Sequence, residues 1–265
     1  MTISDRIYGK HQITDQVLVK LIESAPLLRL KRINQAGPSR YLYSWKNVTR
    51  FEHSVGVMLL LRKYGADTSE QVAGLLHDVP HTAFSHVADF VFANAYHEFH
   101  ELYHEEVIAK SEIPAILKKY EIPLTVIHPE NFTLLEKKLP DLCADRIDYA
   151  LRDSFATRAD FHRLTRKLSH LIGEEGEFVF TNVEGAEFFA RDYIEQDQNS
   201  WANPRESALY ELLAQAIGHA LDKKLLTLSD LFTDDETVMR KLQSSGDAYI
   251  HKKLAYFTPA FRIDK

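Results

Sequence analysis

The 265-residue sequence has a single cysteine, Cys143. No internal disulfide can brace the fold, which excludes a disulfide-stapled secreted scaffold. Glycine (10) and proline (9) are sparse, so collagen-like and low-complexity architectures are excluded as well. Long apolar runs are missing: residues 55–61 form a run of only seven, against the roughly 20 of a membrane-spanning helix. Residues 1–10 carry Asp5, Arg6 and Lys10 and no apolar stretch, so they do not read as a secretory signal. A basic stripe is lacking too. The net charge is −6, and the basic groups, such as residues 29–32 and 252–253, are short and scattered, which argues against a nucleic-acid binder. These absences lead to the expectation of a cytoplasmic globular protein with no membrane and no specific nucleic-acid partner. Assembly into a homo-oligomer is left open.

Histidine is abundant. Of 13, seven (His53, His77, His81, His86, His97, His100 and His104) fall within the 52 residues 53–104. Around them the hydrophobic periodicity is helical. It predicts helices over residues 14–25, 27–35, 50–64, 69–77, 85–95, 98–110, 140–156, 161–171, 184–194, 204–221, 235–244 and 248–255. The 50–64 segment is apolar on most sides and is expected at the centre. Residues 178–182 alternate aromatic and β-branched side chains, the pattern of a short strand, with 8–13 as the expected partner. The expected fold is mainly α, a helical bundle with at most a short β-hairpin. Residues 1–220 would form the domain and 221–265 a helical extension of it.

The adjacent pair His77-Asp78 closes one predicted helix. Imidazole offers a neutral nitrogen and the carboxylate a hard, charged oxygen, a combination that suits a divalent metal. A lone His-Asp is equally well a helix cap. With His53 on a neighbouring helix and Asp145 on a third, an ordered two-His, two-Asp set emerges that leaves coordination positions for water and a substrate oxygen. Asp145, Tyr149 and Asp153 follow one another at i, i+4 and i+8, hence along one helix side. Asp148 and Arg152 read as an ordinary i,i+4 ion pair. His97 and His100 read as a half-exposed polar face, and Arg205 as a structural or solvated arginine.

Five ordered motifs carry a resemblance: Arg29 to Gln35 (RLKRINQ), Thr49 to Val57 (TRFEHSVGV), Ala73 to His86 (AGLLHDVPHTAFSH), His104-Glu105, and Ala144 to Asp153 (ADRIDYALRD). Over about residues 5–160 the chain resembles the HD-domain metal-dependent phosphohydrolases, and among them the dNTP triphosphohydrolase branch, including the HD portion of the SAM-and-HD-domain enzymes. The resemblance implies an HD-domain helical bundle with a divalent metal on His53, His77, Asp78 and Asp145. The ion would be Mn, Mg, Fe, Ni or Zn, all of which such ligands suit. It implies catalytic roles for His81 and for His104 oriented by Asp89. The 18-residue spacing from His86 selects His104-Glu105 over His97-Glu98. It places Gln35, Tyr149 and Asp153 at a nucleotide sugar, Arg50 and Arg146 at phosphate, where guanidinium forks match phosphate oxygens, and His86 in the same pocket.

The implied reaction is hydrolysis of a nucleotide, in that branch a dNTP cut into nucleoside and triphosphate, with His104 as general acid. Three alternatives accompany it. One is hydrolysis of a nucleoside monophosphate or another phosphoester, because the chain is shorter than the full dNTP hydrolases. Another is a di-iron oxygenase, using His77-Asp78-x-x-His81 with His104 and His128 as further ligands. The third is a non-catalytic nucleotide sensor.

Overall fold

The structure, a computed structural model, describes residues 1–93, 99–158, 166 and 168–263. Among them are thirteen α-helices and two two-stranded antiparallel sheets. The chain opens with β1 (Thr2–Asp5) and β2 (Gly9–Gln12), then α1 (Gln16–Ile22), α2 (Ala25–Arg29), α3 (Arg50–Lys63) and α4 (Thr68–Leu76). Next come α5 (Val87–Val91), α6 (His104–Ala109), α7 (Ile113–Lys119) and α8 (Ala144–Arg158). A hairpin of β3 (Leu171–Glu174) and β4 (Glu177–Phe180) precedes α9 (Val183–Gln196), α10 (Pro204–Asp222), α11 (Leu228–Leu231), α12 (Asp235–Ser244) and α13 (Ala248–Leu254). The fold is mainly α, as expected from periodicity.

α3 is the axle. Thr49 accepts from Glu52 N and Glu52 reaches back to Thr49 N, a capping box that fixes where the helix begins. From Val55 to Leu61 every side of it is buried, with α4 and α8 packed against it. One apolar core surrounds α3; a second joins Phe84 and Val87 to α10, α12 and α13. The segment beyond residue 221 is pinned to the chain at residues 34 and 83–84 by hydrogen bonds. Asp235 Oδ1 accepts from Phe84 N at 2.6 Å and its Oδ2 from Asn34 N at 2.9 Å, while Ala83 N donates to Leu231 O at 2.7 Å.

Four local expectations are corrected. The strand near 178 does not pair with residues 8–13. Glu175 (φ 50°) and Gly176 (φ 78°) make a two-residue turn that closes β4 locally onto β3, and β2 closes locally onto β1 across the three residues 6–8. Within the described residues, the helix expected over 85–95 is cut to α5, because Ser85 (φ 56°) before it and Ala93 (φ 52°) after it are left-handed and cannot belong to a helix; residues 94–95 lie outside the described residues. The helix expected from Pro140 starts only at Ala144, where its N–H donates to Leu134 O. Asp67, rather than Ser69, caps α4. The helix expected over 161–171 falls largely outside the described residues, and its last residue opens β3.

Candidate active site

His53 sits one turn into α3, and the helix carries it into the gap between α4 and α8. Its Nδ1 donates to Asp148 Oδ2 at 2.8 Å, and Asp148 also accepts from Arg152 Nε at 2.6 Å. Arg152 reaches on to Asp5 at 2.8 Å, so β1 is tied to the same buried network. His77, the C-cap of α4, donates from Nδ1 to Gly74 O at 2.7 Å. Each ring thus has one nitrogen held by the protein and Nε2 turned toward the other ring, the two Nε2 atoms 3.3 Å apart. Asp145 Oδ1 lies 2.8 Å from His53 Nε2 and 3.5 Å from His77 Nε2. Asp78 lies 3.7 Å and 3.5 Å from the same two nitrogens.

Two neutral nitrogens and two carboxylates converging on one point, each imidazole oriented from behind, fit a divalent cation. The charges agree. Burial opposes a charge on His53, but the bonds to Asp145 and Asp148 and the Asp78 carboxylate lift it to about 10 in the metal-free chain. Burial likewise opposes ionisation of Asp145, yet the bonds from His53 and His77 hold it below the usual carboxylate range. Protons stand here where a cation can replace them.

This cluster forms part of the wall of a cavity of about 1050 Å³. Gln35, Arg50, His53, His77, Asp78, His81, His86, His104, Asp145, Tyr149 and Asp153 all line it. Arg50 gives Nε to Ser85 Oγ and Nη1 to Asp78 Oδ2, both at 2.9 Å. Ser85 is one of the two left-handed residues, so backbone strain is spent at the turn that meets Arg50. His81 Nε2 lies 3.1 Å from Asp78 Oδ1, and its buried Nδ1 has no partner. Burial and the Arg50 charge push His81 well below the usual histidine range. Burial, then the His77 charge, lowers His104 to about 4, and its Nε2 is also without a partner. Tyr149 bonds Tyr193, and Asp153 accepts from Trp201 Nε1 at 2.7 Å.

Two expected site residues are placed elsewhere. Arg146 folds back on its own approach loop, donating to Asp141 O and to Lys137 O, with Cys143 Sγ beside it; the start of α8 at Ala144 leaves those carbonyls for it to satisfy. Asp89 does not orient His104. Its carboxylate accepts from His86 Nδ1 at 3.0 Å and Phe99 N at 2.9 Å, because the first turn of α5 brings its N-cap His86 beside Asp89 three residues on.

Other residues were not foreseen. His100 is partly exposed, as expected, but it stacks on His81 with ring centroids 3.8 Å apart and lines the cavity. Lys46, Glu136, Trp201, Glu206 and Tyr210 line it as well, and burial, then the charge of Asp145, pushes Glu136 up to about 7. Asp148 does pair with Arg152, but the pair is fully buried and serves His53. Arg205 is structural, donating to Phe261 O, Pro259 O and Tyr43 Oη. His97 lies outside the described residues.

Residues 50–153 match the HD domain family model. Over 99% of its length the chain is 42% identical to the uncharacterized protein YdhJ of Bacillus subtilis, covering 82% of that protein. It is 37% identical to the metal-dependent phosphohydrolase cns2 of Cordyceps militaris, over 86% of this chain and 70% of that one. The chain belongs to the HD-domain metal-dependent phosphohydrolases. The fold agrees: a hypothetical protein from Aquifex aeolicus superposes with a TM-score of 0.76 at 22% identity, covering 97% of this chain and 74% of that one. The bovine deoxynucleoside triphosphate triphosphohydrolase SAMHD1 matches this HD protein at 33% identity, but over only 33% of its length and 17% of the bovine protein.

This HD protein is therefore a metal-dependent hydrolase, and its His/Asp cluster can hold a divalent ion. Among the described residues no helix is long and apolar enough to cross a membrane. The carboxylate behind His53 has a measurable role. Asp148→Asn is expected to weaken metal binding by about 10–100-fold, the usual effect of altering a group that orients a ligand histidine. Calorimetric titration of the metal-stripped protein with Mn²⁺ checks this, and unchanged affinity would remove Asp148 from the site.

Proposed function

We propose that the protein hydrolyses the phosphoester of a nucleotide, with the metal on His53, His77, Asp78 and Asp145. The observation that carries the reading is one cavity with two chemically different regions. In one, His53 packs on His77, and His81, His86 and His100 pack on one another, with Asp78 between the two groups. In the other, Tyr149 packs on Trp201, whose Nε1 donates to Asp153, and the buried Gln35 Oε1 on the same cavity wall has no partner. Phosphate suits the first region; a sugar and base suit the second.

When bound, the metal supplies Lewis acidity toward a phosphoryl oxygen and toward water. Arg50, held by Asp78 and Ser85, stabilises negative charge on the phosphoryl group. His104 is neutral in the free chain. A phosphate dianion beside it favours the imidazolium, which makes it competent as a general acid toward the leaving oxygen. His81 and His86 line the phosphate path, with Asp89 positioning His86. Gln35, Tyr149 and Asp153 contact the sugar. The partial similarity to the bovine triphosphohydrolase supports a nucleotide substrate; the name of cns2 supports phosphoester hydrolysis without naming the ester. For the oxygenase alternative, neither His104 nor His128 joins a ligand cluster among the described residues, while Asp78, His81 and His100 form a second cluster beside the first. We place the protein in the cytoplasm and take residues 221–265 as an extension of the domain, since Asp235 anchors them beside the site.

The test is a nucleotide panel assayed after chelator treatment and re-addition of Mn²⁺, Mg²⁺, Fe²⁺, Ni²⁺ or Zn²⁺, with chromatography of the products. Activity should vanish with the metal and return with at least one ion. Cleavage of no phosphoester under any of them would overturn the reading.

A further inference from the structure

Charge in the cavity bears on which nucleotide enters it. Among the described residues its wall carries nine carboxylates and two cationic side chains, Lys46 and Arg50. Both cations are already paired. Arg50 lies on Asp78, and Lys46 is bonded to Glu206 and to Ser200 Oγ. A bound divalent ion offsets Asp78 and Asp145, which leaves seven carboxylates. Glu105 and Glu130 stand at the exposed rim beside His128, and Glu136 stands next to Asp145. Polyphosphate recognition calls for guanidinium forks and ammonium groups free to meet many anionic oxygens. A wall on which carboxylates outnumber Lys46 and Arg50, even with Glu136 only partly ionised, instead repels a polyanion more strongly with each phosphate it carries.

Glu206 is the second observation. It is 5% exposed and lines the cavity, and while one carboxylate oxygen holds Lys46, the other, Oε1, is buried with no partner. An unpaired buried carboxylate oxygen is destabilising unless a donor meets it. A nucleoside brings such donors as sugar hydroxyls or base amino groups.

Resting on the nucleotide reading above, we propose that the cavity selects a nucleoside monophosphate over a triphosphate. Glu206 is the specificity determinant: it neutralises Lys46 and accepts from a donor on the nucleoside.

The experiment measures kcat/KM for mono-, di- and triphosphates of the common ribo- and deoxyribonucleosides in excess Mn²⁺. It uses wild type and Glu206→Gln at about 0.02 and 0.2 M salt, with p-nitrophenyl phosphate as a non-nucleotide monoester. The expected result is a monophosphate preference of about tenfold or more. Salt should narrow it, because screening weakens repulsion of the triphosphate most. Glu206→Gln should also narrow it, by removing one charge and loosening Lys46, while its amide oxygen still accepts from Lys46. A triphosphate cleaved as fast or faster overturns this proposal and leaves the nucleotide hydrolase intact. Cleavage of p-nitrophenyl phosphate alone, or of nothing, overturns both. Should circular dichroism show Glu206→Gln unfolded, the salt dependence of the wild-type preference decides.

Discussion

Asp78→Ala is expected to abolish phosphoester hydrolysis with every metal and to lower stability at the same time. The carboxylate has four partners. It faces His53 and His77, it lies 3.1 Å from His81 Nε2, and it carries the Arg50 guanidinium at 2.9 Å. The Arg50 charge is the main reason that Asp78 stays ionised so far below the usual carboxylate range despite its burial. Truncation leaves Arg50, only 5% exposed, as an unpaired buried charge. Breaking a buried pair in this way costs about 3–5 kcal/mol, against a total margin of about 5–15 kcal/mol for a domain. Asp78→Asn separates the two effects: its amide oxygen can still accept from Arg50, so the melting temperature should fall less, while the ligand charge is gone and turnover should remain absent. Thermal unfolding and phosphate-release assays on both variants check this. Turnover by either variant would remove Asp78 from the metal set.

Much of the site is legible before any coordinates, and the reason is local. His77 and Asp78 are neighbours in the chain, and Asp145, Tyr149 and Asp153 are set on one side of α8 by the helical period. Periodicity also exposes α3 as the buried centre. What is not legible is side-chain direction and pairing at long range. Arg146 sits one residue from Asp145, yet its side chain turns back to the carbonyls of residues 137 and 141, a choice set by where α8 starts. Asp89 is three residues from His86 and bonds it, and its other oxygen accepts from Phe99 N. His100 looks like a surface residue by spacing and becomes part of the wall only through stacking on His81. Lys46 and Glu206 are 160 positions apart, and no local pattern joins them. The strand near 178 was visible, but its partner was not, because alternation marks a strand without naming its neighbour.

Gly56→Ala should be as damaging as a loss of charge, although glycine sits here in an ordinary helical turn of α3. A Cβ built on Gly56 would fall 1.8 Å from Arg152 Nη2 and 2.3 Å from Asp148 Oδ1. Neither atom has room to yield. Arg152 is fully buried and held by Asp148 and Asp5, and Asp148 is held by His53. A single methyl group must therefore break the pair that orients His53 or push α8 away from α3. Overpacking costs about 1–3 kcal/mol and disruption of a buried pair about 3–5 kcal/mol. The expected loss, about 3–5 kcal/mol, should appear in denaturant unfolding together with weaker Mn²⁺ binding. Gly218, within α10, is the internal control, since a Cβ there meets nothing within 4 Å. Gly218→Ala should stabilise by about 0.5–1 kcal/mol through helix propensity and leave metal binding unchanged. If both variants unfold at the wild-type denaturant midpoint, the close approach of α3 and α8 is not what holds Asp148 against His53.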